Sequence, residues 1–181
     1  EQPSGLAAGS AQLVRAQIAE NAGQSAQAAV FAQAALEAFQ RRCQGASEAH
    51  GVPAGCDYRA AWSARMLLER RASGLGLTVV ATAHAQAALE LANAAGDTRR
   101  QATNLGSLAM LAQGRGERDA AVWLLAQARR AVGYAPDPAQ QARLAGVQAR
   151  LAAAQNDAPG NLQALQEALA FATLAKAPRL E

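Results

Sequence analysis

Residues that build sheets are scarce in this chain: valine, isoleucine and threonine together fill 14 of 181 positions. Strands rest on side chains that fit a pleated surface, so this shortage argues against any sizeable sheet. Aromatic residues number seven and are scattered along the chain, with Trp62 and Trp123 in segments where packing is the expected role. Lysine occurs once, as Lys176, against sixteen arginines, and a net charge of +3 is too mild to demand nucleic acid. His50 and His84 are the only histidines, and neither has a nucleophile at helical spacing. No HExxH, GxSxG, Walker, GxGxxG or CxxC pattern occurs. An enzyme, a cofactor and a metal centre are therefore not expected. Gly74 and Gly76 flank Leu75 with no strand before them, so they do not read as a phosphate cradle.

Long apolar runs are missing too. The least charged stretch, from Gly74 to Gly96, carries Glu90 and is interrupted by His84, Gln86, Asn93 and two threonines. It reads as a helix buried between other helices and not as a membrane span. No basic stretch followed by an apolar segment is present, and the sequence starts at Glu1. The expectation is a mature form or an excised fragment, its leader removed or never present.

Alanine fills 51 positions and leucine 21. Both are strong helix formers, so the expected class is all-α. The hydrophobic share of 51% excludes a disordered chain.

The two cysteines, Cys43 and Cys56, bracket a stretch rich in turn formers: Gly45, Gly51, Pro53 and Gly55. Three fates compete. A disulfide would need an oxidising compartment. A metal site could recruit His50, but three ligands at these spacings match no structural zinc motif. Two free thiols would suit a cytosolic protein. Loop length, composition and the even count favour the bridge.

The chain repeats itself. Gly116, Ala121 and Ala128 are matched forty positions earlier by Gly76, Ala81 and Ala88, and forty later by Asn156, Asn161 and Ala168. Gly23, Ala28 and Ala35 form a further copy, 53 positions before the second. The excess of thirteen over forty equals the Cys43–Cys56 separation, so the cysteine loop reads as an insertion. Glycine or asparagine accepts the left-handed conformation that ends a helix. Two alanines seven apart lie on one face of the next helix, where another backbone can approach. Eight helices follow, at about 11–22, 25–44, 57–73, 77–95, 97–114, 117–133, 137–156 and 160–175. Asp137, Pro138 and Gln140 supply an N-cap, a first-turn proline and a capping-box residue.

The copy Asn104-Leu105-Gly106-Ser107-Leu108-Ala109, continuing through Gly116 to Ala121 and Ala128, resembles a tetratricopeptide repeat. Glu69 in the second copy and Asn161 in the fourth depart from that family's small residues. The resemblance implies a right-handed superhelical stack of about four antiparallel helix pairs with a forty-residue period. Residues 1–9 would be a flexible tail and 10–177 one domain with the loop 43–56 inserted. Residues 178–181 would be a cloning remnant or a truncated continuation. In this family the first helix of each pair lines a concave side that holds a peptide or partner helix. That geometry nominates Gln17, Met66, Arg70, Met110, Gln113, Arg143 and Arg150. The methionines suit adaptable apolar contact and the arginines suit carboxylates or phosphates.

The alanine- and arginine-rich style and the cysteine loop are similar to the extracytoplasmic repeat regions of bacterial membrane-bound diguanylate cyclases. The implied function is a non-catalytic interaction or ligand-sensing module, the periplasmic sensory part of a larger receptor. Its partner would be a protein or peptide, with a small molecule as the second option. The alternative is a cytoplasmic adaptor or a regulatory region of a transcriptional activator. In the eighth helix, Leu162, Leu165 and Leu169 form a stripe expected to pack on the seventh. Phe171 falls about 180° from Leu162 around the helix and Leu174 extends that second face, which would meet a further helix or a second copy of the chain.

Overall fold

The computed structural model describes residues 5–133 and 137–176. The remaining residues, including 178–181 and the first four of the expected tail, lie outside the described set. The fold is all-α. Its helices are α1 (Gly5–Asn21), α2 (Ser25–Gln40), α3 (Tyr58–Gly74), α4 (Thr78–Ala94), α5 (Thr98–Gly114), α6 (Arg118–Val132), α7 (Pro138–Ala154) and α8 (Ala158–Lys176). Among the described residues, the only extended pairing is an isolated bridge between Ser47 and Gly51.

The forty-residue repeat is visible in the helix starts. First helices begin at 58, 98 and 138, and second helices at 78, 118 and 158. One backbone device closes the first helix of every pair. Gly23, Gly76, Gly116 and Asn156 all carry positive φ, as their spacing predicts. In each case the next amide reaches back to a carbonyl in the last turn: Leu77 to Ala72 at 2.9 Å, Glu117 to Ala112 at 3.0 Å, Asp157 to Ala152 at 2.9 Å. This satisfies carbonyls that a helix end would otherwise orphan.

Two boundaries differ from expectation. Helix α1 starts at Gly5, inside the stretch read as a tail, because that turn is packed and not free. A Cβ at Gly9 would sit 2.8 Å from the Cβ of Ala38 and 3.0 Å from Phe39 Cζ, so only glycine lets the two helices approach this closely. Helix α2 stops at Gln40 instead of running to 44, as the chain turns into the cysteine loop.

The chain divides into two compact units, the first ending at Asp97 and the second beginning at Thr98. In the first, α1 packs on α2 and α3, α2 on α3, and α3 on α4. In the second, α5 packs on α6 and α7, α6 on α7, and α7 on α8. Small residues form the seams: Ala28, Ala35, Ala81, Ala88, Ala121 and Ala128 are all buried. Larger side chains fill what the seams leave, with Leu36, Phe39 and Leu67 in the first core and Leu125, Leu144 and Leu151 in the second.

Helix α8 obeys the alanine rule against the leucine expectation. Leu162, Leu165 and Leu169 are 59%, 52% and 69% exposed, while Ala164 is fully buried and Ala168 and Phe171 are half-buried. The leucine stripe therefore faces solvent, and the alanine side packs on α7, where a short side chain permits closer helix approach. Trp123, expected to pack, is likewise 58% exposed.

Candidate functional site

The nominated concave residues belong to α1 and α3 in the first unit, and to α5 and α7 in the second. Four of them, Gln17, Arg70, Met110 and Arg150, stand at one repeat position, since 70, 110 and 150 are forty apart and 17 is 53 before 70. Gln17 is exposed and donates to Asn21 at 3.2 Å. Arg70 reaches Glu20 on α1 at 3.7 Å, a partly exposed pair of little energetic weight. Met66 is 5% exposed, so it belongs to the core and leaves the surface set. Met110 is half-buried against the second core, and Gln113 holds a buried Oε1 with no partner among the described residues. Arg143 and Arg150 are both exposed on α7. Of the C-terminal pair, Leu174 is 59% exposed and Phe171 is partly covered.

In the second unit, α5 and α7 are tied by a polar clasp that the capping-box reading missed. Asp137 caps α7 by accepting from the Ala139 amide at 3.0 Å. Gln140 is not a capping-box residue here. Its side chain crosses to α5, donating to the Arg99 carbonyl at 3.0 Å and the Thr103 hydroxyl at 3.2 Å. Arg99 meets Asp137 at 3.1 Å. Gly106 completes the approach, its position lying 3.4 Å from Leu144 were a Cβ present.

In the first unit, Cys43 and Cys56 are joined as a disulfide. That removes the metal reading, because paired sulfurs offer no thiolate, and His50 is engaged with the Ser47 hydroxyl at 3.0 Å. The bridge pins the loop against α2, α3 and α4, and together they enclose a cavity of about 200 Å³. Leu36, Cys43, Ala61 and Leu91 give it an apolar floor, and Gln40, Gln44, Arg65 and Glu90 a polar rim. Arg65 is half-buried, and desolvation pulls its guanidinium below the ordinary arginine range, with Glu90 opposing. His84 is held below the usual histidine range by burial first and by Arg65 second, which keeps it neutral at pH 7. Its Nδ1 has no partner among the described residues. Motif reading could not have found Arg65, because its only signal is its position beside a loop from another repeat.

A second concavity, about 300 Å³, lies in the second unit between α6, α7 and the start of α8. Val122, Leu125, Ala126 and Leu151 make it mainly apolar, with Arg129 and Asp157 at its edges. Arg129 also meets Glu167 of α8 at 3.1 Å. No protein-family model matches the chain, and no curated protein matches it in sequence. Among the described residues no helix is long and apolar enough to cross a membrane.

Proposed function

We propose that the chain is a non-catalytic, tetratricopeptide-like binding module whose helix pairs stack in a right-handed superhelix. It serves as the periplasmic sensory part of a larger bacterial signalling receptor and takes a protein or peptide partner. The even helix starts, the left-handed closures and the alanine seams support the repeat reading. The disulfide favours an oxidising compartment over the cytoplasmic adaptor alternative.

The observation that carries the binding role is the pair Arg143 and Arg150. They lie seven apart on one face of α7, exposed, with no carboxylate in ion-pair reach among the described residues. The Arg143 Nε donates to the Ala139 carbonyl at 3.4 Å, and the remaining guanidinium donors of the two residues suit an acidic segment, which they can grip in pairs. The test is crosslinking in the native compartment with wild type and the Arg143→Ala, Arg150→Ala double variant. Loss of the crosslinked partner with unchanged helical circular dichroism supports the assignment. Equal crosslinking by both proteins refutes it.

A further inference from the structure

The cavity beside the disulfide is lined by one charge of each sign, Arg65 and Glu90. A half-buried guanidinium, Arg65, lines it without a hydrogen-bond or ion-pair partner among the described residues. Glu90 stands on the same rim, near enough to act on Arg65 electrostatically and too far to form the ion pair within 4.0 Å. Two opposite charges facing one cavity and not satisfying each other leave room for a molecule that carries both complements. The remaining wall is the floor of Leu36, Cys43 and Leu91. The volume of about 200 Å³ corresponds to roughly seven waters at about 30 Å³ each. It falls below the roughly 300 Å³ at which drug-sized ligand pockets begin, so the ligand is a small one.

We propose that this cavity binds a free α-amino acid, its carboxylate on Arg65, its ammonium on Glu90 and its side chain on the apolar floor. The guanidinium fork matches a carboxylate bidentately, whereas a lysine here would not fix orientation. His84 is not among the residues that line the cavity, and as a neutral ring it adds no second positive charge beside Arg65. The disulfide has a role in this arrangement, since it fixes Gln44 and Gly45 as one wall. The proposal deepens the sensory reading by naming a ligand class. It rests on the first unit alone, while the partner surface on α7 lies in the second, so either can fail without the other.

Isothermal titration calorimetry of the oxidised chain with L-leucine, L-methionine and L-glutamine tests it, with acetate and methylamine as half-ligands. The expected result is millimolar or tighter binding of at least one amino acid. Arg65→Met and Glu90→Gln should each weaken it by roughly tenfold or more, the loss of a charge-assisted contact. Both variants should keep the wild-type circular dichroism spectrum, because neither side chain is tied into the fold. No heat with any of the three amino acids overturns the proposal. So does binding that both variants retain, or acetate binding as tight as the best amino acid and indifferent to Glu90→Gln.

Discussion

The Glu69 carboxyl occupies a slot that the other copies give to alanine. Forty and eighty residues on stand Ala109 and Ala149, and 53 before stands Ala16, all buried. Glu69 is itself only 5% exposed. Burial pushes its carboxyl above the ordinary carboxylate range, and neighbouring Arg70 draws it only partly back. The folded chain thus holds this proton to a higher pH than the unfolded chain does. Its stability is undiminished below the ordinary value near 4.5 and declines as pH rises through the elevated one. Replacing Glu69 with methionine keeps the length of the side chain and removes the polar end. At pH 7 the variant should be more stable by about 1–2 kcal/mol, the cost seen when a polar group is buried without adequate partners. For a chain of this size, each kcal/mol raises Tm by about 2–4 °C. Thermal unfolding followed by circular dichroism across pH 4 to 8 measures both quantities. Wild type should lose stability over that range relative to the variant, and the gap should narrow on acidification. A wild type as stable as Glu69→Met at pH 7, or a gap that ignores pH, would refute the reasoning.

The cysteine bridge closes a loop of thirteen positions, so Cys43→Ser with Cys56→Ser should destabilise the chain by about 3 kcal/mol on a chain-entropy estimate, read from urea midpoints. Two titratable thiols in the native, unreduced protein would contradict the bridge itself. On α8, Leu165→Ala and Leu169→Ala should each cost less than about 0.5 kcal/mol, because both side chains are exposed. Losses of about 2–5 kcal/mol would instead mean that the stripe is packed.

The repeat was readable because it is written in backbone chemistry. A residue that must adopt positive φ is restricted to glycine or asparagine, so Gly23, Gly76, Gly116 and Asn156 announce the hairpin turns directly. The alanines at 81, 88, 121 and 128 were legible for a similar reason, since a close helix seam tolerates little else. The cysteine loop was visible as thirteen surplus residues in an even array. The cavity it forms was not, because Arg65 and Glu90 meet there only through the packing of α3 on α4 and the return of the loop from α2.

In the eighth helix, hydrophobicity and repeat position point to opposite faces. Hydrophobicity alone ranks leucine above alanine, so the Leu162, Leu165 and Leu169 stripe reads as the buried side. In this chain the preceding helices had already set another rule: the inner face of a second helix is an alanine face. Ala121 and Ala128 on α6 correspond to Asn161 and Ala168 on α8, which places the inner face around Ala164 and Phe171 before any leucine is considered. Periodicity within a helix says that a face exists, whereas periodicity between repeats says which face it is. Applied to α8, the second criterion puts Phe171 toward α7 and Leu162, Leu165 and Leu169 outward, as the structure has them.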